Sequence, residues 1–154
     1  MKTALVVGIG NAWRGDDAAG LMVADLVDAD TADVAAVRHE GDGAALLDLW
    51  AGYEMVVLVD AIVSGAPPGT IRRFRDRHSL PRPWFGGGSH LINVTEAVDL
   101  ARTLGRLPPQ LLVIGIEGRS FQPGDPMSAE VEASVRRVAD DLATRIADGF
   151  EVAG

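Results

Sequence analysis

Residues 8–20 of the chain are GIGNAWRGDDAAG, a segment rich in glycine and other small side chains. The apolar, β-branched run at residues 3–9 before it is typical of a buried strand. Residues 17–29 after it carry apolar side chains at helical spacing, so the segment is predicted to be a strand-to-helix loop. The negative charges of Asp16 and Asp17 would interact favourably with the positive end of the helix dipole, and Asp16 could cap the helix. Two interpretations are open at this point: a turn with a helix cap, or a loop that carries a carboxylate into a cleft.

The glycine-rich loop does not match the fingerprint of a nucleotide-binding site. Gly8 and Gly10 are followed by Trp13 at the place where a dinucleotide-binding loop needs its third glycine. Asp16 and Asp17 would repel a pyrophosphate at the start of the helix. The Gly-Lys-Ser/Thr signature of a P-loop is also absent from the sequence. We therefore do not expect this loop to bind phosphate.

Strand and helix patterns alternate along the rest of the sequence. Further strands are predicted at residues 34–38, 55–59, 70–74 and 111–116, and further helices through residues 46–50, from the capping box at 93–96, and over 128–148. This alternation predicts a single domain over residues 1–154. Its fold class would be a three-layer α/β sandwich, with a mostly parallel twisted sheet of about five strands and helices on both faces. The strand at 70–74 is expected at an edge because arginines alternate along it.

The composition limits the classes of function. The 14 Lys and Arg against 22 Asp and Glu give a formal charge of −8, which opposes binding to nucleic acid or to an anionic membrane. This charge favours a cation, or a basic segment of another protein, as the partner. Cysteine is absent, so any metal would be bound by histidine and carboxylates. No signal peptide or transmembrane pattern is recognised, so we expect a cytoplasmic protein and, in addition, a monomer.

Polar side chains follow the predicted strands at the points where the strands end. They are Asn11, Asp16, Asp17, Glu40, Asp42, Asp60, Ser64 and Glu117. Ligands of parallel α/β sheets bind beyond the carboxyl ends of the strands, so these residues predict one acidic crevice. Polar residues at strand ends can also be fortuitous, because every strand must stop. Asp60 ends the apolar run at 55–59 directly, and this placement favours a functional role.

One of the three histidines is a candidate to complete this crevice. His90 lies between Gly86-Gly87-Gly88, which is predicted to be a mobile segment, and the start of a helix. From there its side chain can point toward the crevice, whereas the other two histidines are expected on the surface. With Asp17 and Asp60 it would supply one imidazole and two carboxylates. This donor set suits zinc or nickel with coordination positions left open.

Two other enzyme or signalling classes are tested against the same residues. A Ser-His-Asp hydrolase needs its serine in a Gly-x-Ser-x-Gly elbow, and Ser64 is followed by glycine but not preceded by one at the required position. A receiver domain of two-component signalling also places acidic residues after its first and third strands. It needs a lysine after the last strand, and the only lysine of the chain is Lys2. Neither class fits.

The order and spacing of four motifs resemble the hydrogenase maturation proteases. The motifs are Gly8-x-Gly10-Asn11, Asp16-Asp17, Asp60-Ala61-Ile62 at the end of an apolar strand, and Ser89-His90 before a helix. The similarity extends in order over nearly the whole chain. Two departures are present: Ala18 stands where a glycine is usual, and Asp42 replaces the last glycine of an Asp-Gly-Gly motif that begins here as Glu40-Gly41.

The resemblance implies a metal-dependent, aspartic-type endopeptidase with Asp17, Asp60 and His90 as both its catalytic and its metal-contacting residues. The substrate would be the large-subunit precursor of a [NiFe] hydrogenase, which loses its C-terminal tail after nickel insertion. Nickel would be carried by the substrate, with zinc or cadmium as a surrogate in a crystal. The metal would either activate the attacking water or only orient the tail. The alternative is a non-enzymatic module that senses metal or docks the precursor.

Overall fold

The computed structural model of the protein describes residues 4–30, 34–40, 42–75 and 94–147. The strands in these ranges are β1 (Ala4–Ile9), β2 (Val34–His39), β3 (Met55–Ile62), β4 (Ile71–Arg75) and β5 (Gln110–Glu117). The helices are α1 (Ala19–Asp30), α2 (Gly43–Trp50), α3 (Val94–Thr103) and α4 (Ala129–Ala147), and a 3₁₀ turn at Gly15–Ala18 precedes α1. Within the described ranges, no helix is both long enough and apolar enough to cross a bilayer.

The strands form one sheet in the order β2-β1-β3-β5-β4. The first four of these are parallel, and β4 runs antiparallel to β5 at the edge. The predicted fold class is confirmed, including the edge position of the arginine-containing strand. Charged side chains suit an edge because they discourage pairing with a further strand, and Arg73 and Arg75 are exposed.

Helices cover both faces of the sheet, and the alternation of side chains along β3 shows which residues face each layer. Val57 and Val59 belong to the core beneath α1 and α4, whereas Val56 and Leu58 belong to the core beneath α2 and α3. Successive side chains of a strand point to opposite faces. Asp60 therefore lies on the face of the sheet that α2 and α3 cover.

Strand β3 is longer than the apolar pattern indicated. The prediction that the strand ends at Asp60 is wrong by two residues, since β3 continues to Ile62. The extra length comes from pairing with β5, where Asp60 lies opposite Gly115 and Ile62 opposite Glu117. Asp60 is thus held within a paired strand.

Two glycines allow the start of α1 to lie directly on the sheet. A Cβ atom on Gly8 would lie 2.1 Å from the carbonyl oxygen of Gly20. A Cβ on Gly20 would lie 2.2 Å from the carbonyl oxygen of Val59 and 2.5 Å from that of Ile9. Because these neighbours are backbone atoms, they cannot move aside as a flexible side chain could. The glycines thereby bring the 3₁₀ turn and α1 close to the carboxyl ends of β1 and β3.

Replacement of Gly20 by alanine is expected to lower the free energy of unfolding by about 3 kcal/mol, because the new methyl group would overlap backbone of two strands. Chemical denaturation with a two-state fit would measure the change. Gly52→Ala is the control, because its Cβ would meet nothing within 4 Å and only its positive φ of 87° opposes the change. We expect a cost of about 1 kcal/mol for that variant. Equal losses in the two variants would contradict the close-approach explanation.

Candidate active site

The loop after β1 is closed by its own hydrogen bonds, and this places Asp17 at the carboxyl edge of the sheet. The backbone N–H of Asn11 donates to the carbonyl oxygen of Asp17 at 3.3 Å, and the N–H of Asp17 donates to that of Arg14 at 3.0 Å. The Asn11 side chain accepts a hydrogen bond from the Trp13 N–H at 2.9 Å. Asn11 therefore shapes the turn and is not a free polar group of the crevice.

Asp16 has a different role from the helix cap that the local sequence suggested. It is fully buried, and its carboxylate binds the loop between β5 and α4. It accepts hydrogen bonds from the backbone N–H groups of Arg119 (2.8 Å), Ser120 (3.0 Å) and Ser128 (2.7 Å), and from the Ser128 hydroxyl (2.7 Å). The N–H of Asp16 also donates to the Ser120 carbonyl at 2.7 Å. We call these contacts the Asp16 clamp.

The hydrogen bonds of the clamp keep Asp16 ionised. Burial alone would raise the pKa of its carboxyl group. The hydrogen bonds from the Arg119 N–H and from the other donors favour the charged form and outweigh burial, so the pKa lies below its usual value. An ionised carboxylate with four donors is a structural anchor, and it has little capacity left to bind a ligand.

Asp17 and Asp60 are the predicted site residues that the structure describes. The 3₁₀ turn that carries Asp17 contacts β3, and β3 carries Asp60. The turn follows β1, and β1 and β3 are adjacent and parallel strands. Asp17 and Asp60 therefore belong to the same edge of the sheet. The side chains are only 3% and 2% exposed. Burial of a carboxylate is costly unless hydrogen bonds, an opposite charge or a metal compensate for it, which makes this pair a good candidate for the reaction centre.

His90 lies outside the described residues, as do Ser89 and the glycines at 86–88. Within the part of the chain that the structure describes, no group of three or more His, Cys, Asp or Glu side chains is arranged to hold a metal ion. The three-residue ligand set and the mobility of the glycine segment thus stay predictions.

Glu117 and Ser64 were predicted to line the same crevice, and they bind each other. Glu117 is 2% exposed, and both of its carboxylate oxygens accept hydrogen bonds from the Ser64 N–H, at 3.1 and 3.0 Å. The Ser64 hydroxyl donates to the same carboxylate. The contact fixes the chain that leaves β3 to the end of β5. Asp16 and Glu117 are therefore structural anchors, and Asp17 and Asp60 are the other two buried acids of the predicted crevice in the described part of the chain.

The same sequence pattern recurs in a known group of proteins. A model of hydrogenase maturation proteases, named HycI, matches residues 41–145, which is more than half of the chain. The chain belongs to the hydrogenase maturation protease family. The resemblance inferred from the four sequence motifs is confirmed at this level.

Individual members of the hydrogenase maturation protease family show how far the likeness extends. HupD of Thiocapsa roseopersicina, a hydrogenase expression/formation protein, is 31% identical over 120 residues, which are 73% of this chain and 53% of HupD. The chain therefore spans about half the length of that relative. The hydrogenase 2 maturation protease of Escherichia coli is 26% identical over 143 residues, which are 90% of this chain and 87% of that protein.

Solved structures share the fold. The maturating endopeptidase HybD from E. coli superposes with a TM-score of 0.80 at 22% identity, covering 97% of this chain and 94% of HybD. The maturation protease HycI from Thermococcus kodakarensis gives 0.71 at 23% identity, covering 93% and 92%. The superpositions show that this chain and these two proteins share a fold, and at identities this low they show the fold alone.

The structure shows a cleft in the region where the strand ends predicted an acidic crevice. A cleft of about 560 Å³ lies at the carboxyl ends of β1 and β2, and we call it the Trp13 cleft. Its lining includes the side chains of Trp13, Arg38, Glu40 and Asp42. Asp42 also caps α2, since its carboxylate accepts a hydrogen bond from the Ala44 N–H at 3.1 Å. Asn11, Glu40 and Asp42 were predicted to lie in the crevice, whereas the place of Trp13 in its lining was not predicted.

Proposed function

We propose that the chain is an endopeptidase that removes the C-terminal tail of a [NiFe] hydrogenase large-subunit precursor after nickel insertion. Membership of the hydrogenase maturation protease family supports this class of activity. The observation that carries the proposal is the pair Asp17 and Asp60, two almost fully buried carboxylates on neighbouring elements at the ligand-binding edge of the sheet.

The donor set fits a divalent cation that arrives with the substrate. Carboxylate oxygens of Asp17 and Asp60, together with the imidazole of His90, would supply a mixed oxygen and nitrogen set of the kind that nickel and zinc accept. Zinc or cadmium would replace nickel in a crystal. Nickel held by the precursor is thus part of the substrate, and its contact with these side chains would place the tail in the crevice.

In this proposal Asp17 and Asp60 have two roles. They orient the tail through the nickel that it carries, which raises the local concentration of the scissile bond beside them. One carboxylate could also accept a proton from the attacking water, because a carboxylate is an effective general base when it is correctly placed. Both duties require the negative charge of the carboxylates and not merely their shape.

The test uses a purified, nickel-loaded large-subunit precursor. We expect the wild-type protein to release a short C-terminal peptide from many molecules of precursor per molecule of enzyme. Mass spectrometry of the peptide and of the shortened subunit measures the reaction. Stoichiometric binding of an intact precursor would support the docking module instead.

A nickel-free precursor is the matched control for this reaction. The proposal requires that it stay uncleaved, because nickel is the signal that the carboxylates recognise. Cleavage at an equal rate without nickel would show that the metal is not this signal. A monomeric state, a cytoplasmic location and the absence of nucleic-acid and membrane partners stay predictions from the sequence.

A further inference from the structure

Thr95 is the one serine or threonine of the described residues whose hydroxyl has no hydrogen-bond partner. It lies in the first turn of α3 and is fully buried, and its Oγ1 makes no hydrogen bond. The other hydroxyl side chains in the described ranges all take part in hydrogen bonds: Ser64, Thr70, Thr103, Ser120, Ser128, Ser134 and Thr144. A buried hydroxyl without a partner costs free energy, so its presence at this position requires an explanation.

The place of Thr95 at the start of α3 accounts for the missing partner. Thr103 and Thr144 lie inside helices, and each donates to the carbonyl oxygen four residues earlier, at 3.0 and 3.1 Å. Thr95 is the second residue of α3, so the helix has no preceding turn to offer it such a carbonyl. The first N–H groups of a helix have no partner within the helix, and they carry the positive end of its dipole. A hydroxyl donor at this end is suited to an electron-rich group from outside the helix.

The buried face of α3 packs on the side of the sheet to which Asp60 belongs. Val98 of α3 lies in one core cluster with Leu58 and Ile62 of β3. These two residues flank Asp60 on this face, because alternate residues of a strand point the same way. Thr95 comes three residues before Val98, so the two lie on the same side of the helix. Thr95 and Asp60 therefore belong to the same layer of the fold.

The direction of α3 brings its first turn to the height of Asp60 along the strands. The chain that leaves α3 enters β5 at Gln110, which pairs with Met55 at the amino end of β3. The helix has 10 residues and is about 15 Å long, and β3 rises about 16 Å from Met55 to Asp60. Because α3 ends near the amino edge of the sheet, Thr95 lies toward the carboxyl edge, as Asp17 and Asp60 do.

We propose that the hydroxyl of Thr95 donates a hydrogen bond to the carbonyl oxygen of the peptide bond that the protein cuts. The reaction rests on the proposed function, whereas the unused donor rests on the structure. Asp17, Asp60 and Thr95 are 3%, 2% and 0% exposed. A hydrogen bond is stronger in such surroundings than in water. Thr95 is thereby a catalytic residue that stabilises negative charge on the substrate.

The hydroxyl acts at the step in which this negative charge develops. The oxygen of a water molecule bonds to the carbonyl carbon, while one proton of the water passes to the carboxylate of Asp17 or Asp60. The electron pair of the carbonyl double bond moves to the carbonyl oxygen, and the Thr95 O–H donates to this oxyanion. When the C–N bond breaks, that pair re-forms the carbonyl, and the proton passes from the carboxyl group to the leaving nitrogen.

Thr95→Val removes the hydroxyl and keeps the shape of the side chain. In steady-state cleavage of the nickel-loaded precursor, we expect kcat to fall about a hundredfold and KM to rise only about threefold. The effect falls mainly on kcat because the hydrogen bond strengthens as charge develops. Thr95→Ser keeps the donor and should retain kcat within about threefold. A wild-type kcat in Thr95→Val would overturn the proposal.

Thr103→Val and Thr144→Val are the matched controls. Each removes an exposed hydroxyl from a helix by the same substitution. Both variants should cleave the precursor at the wild-type rate. A loss of kcat in the controls equal to that in Thr95→Val would show a general effect of the substitution and contradict a special role of Thr95.

Thermal unfolding distinguishes a donor kept for the substrate from a structural hydroxyl. Because the Thr95 hydroxyl has no partner in the folded protein, a methyl group in its place should raise Tm by about 2 to 4 °C. The two controls lose a hydrogen bond and should show no such rise. A Tm of Thr95→Val below that of the wild-type protein would reveal a structural partner and overturn the proposal. If Thr95→Val does not fold, the kcat values of Thr95→Ala and Thr95→Ser supply the same comparison.

The pH dependence of kcat separates action on the substrate from action through a carboxylate. A donor to the oxyanion should lower kcat by the same factor at every pH and leave the acidic limb of the profile in place. A displaced acidic limb in Thr95→Val would mean that the hydroxyl acts through Asp17 or Asp60, contrary to the proposal.

Failure of the proposed function can be told apart from failure of this inference. If the wild-type protein binds the precursor without cleaving it, the proposed function fails, and calorimetry on the same variants replaces the kinetics. A Kd raised about threefold in Thr95→Val and restored in Thr95→Ser would still support a hydrogen bond from this hydroxyl to the bound segment. Equal Kd values for the wild-type protein and Thr95→Val would overturn it.

Discussion

Asp60→Asn is expected to lower kcat/KM for the nickel-loaded precursor by about a thousandfold, equivalent to roughly 4 kcal/mol of transition-state stabilisation. Asparagine keeps the shape of the side chain and removes its charge. Asp60 lies within β3 opposite Gly115 and is 2% exposed. Because the strands pair through their backbones, replacing this side chain by a neutral one of the same shape should not disturb the pairing. Single-turnover cleavage measures the loss, and thermal unfolding verifies that the variant is folded.

Asp48→Asn is the control for this charge removal. Asp48 is exposed on α2 and pairs with Arg106 at 3.0 Å, remote from the carboxyl edge of the sheet. Its replacement should leave cleavage unchanged. Asp17→Asn should behave like Asp60→Asn if the two carboxylates act as a pair. A folded Asp60→Asn enzyme that cleaves at the wild-type rate would eliminate the carboxylate-centred mechanism, whatever the fold.

Asp16→Ala is expected to lower the free energy of unfolding at pH 7 by about 4 kcal/mol. The change removes a buried carboxylate and leaves three backbone N–H groups and one hydroxyl without their acceptor. Urea denaturation monitored by circular dichroism measures the loss. Ser128→Ala, which removes only the hydroxyl donor, should cost about 1 kcal/mol and provides the graded comparison.

The pH dependence of stability gives an independent readout of the same clamp. The folded pKa of Asp16 lies below its unfolded value of 3.8, so the unfolded chain binds the proton more readily. The stabilisation by the charged group is therefore complete above the unfolded pKa and is lost as the pH falls through the folded pKa. The difference in stability between the wild-type protein and Asp16→Ala should be constant near neutral pH and shrink in this acidic range. A difference that grew on acidification would contradict the assigned direction of the pKa shift.

The sequence predicted the fold well because the signals for it are local. Apolar runs and helical spacing placed every strand and helix of the described chain within a few residues, and alternating arginines placed β4 at the edge. The errors arose where pairing between segments that are distant in the sequence determines the length of an element. β3 continues past Asp60 because β5 pairs with it, and no pattern within β3 shows this.

Asp16 illustrates why the site was harder to predict than the fold. Next to a helix, an aspartate is locally indistinguishable from a cap, and its actual partners are 103 to 112 residues away in the sequence. Glu117 likewise appeared to be a crevice acid until its contact with Ser64 was visible. The placement of Asp17 and Asp60 at one edge of the sheet could be predicted because the strand-end rule depends only on topology, whereas their roles stay predictions. His90 was predicted from its place between a glycine run and a helix start and from the family resemblance, and it stays a prediction because it lies outside the described residues.

The Asp16 clamp also has a consequence for the order of events during synthesis on the ribosome. The turn that carries Asp17 lies among the first 20 residues, yet the donors that hold it extend to Ser128. A nascent chain that ends before Ser128 cannot close the clamp, although β1, α1 and β3 have already been made. The segment from β1 to β3 therefore emerges with the turn unanchored, and the site gains its native geometry only after Ser128 has been synthesised.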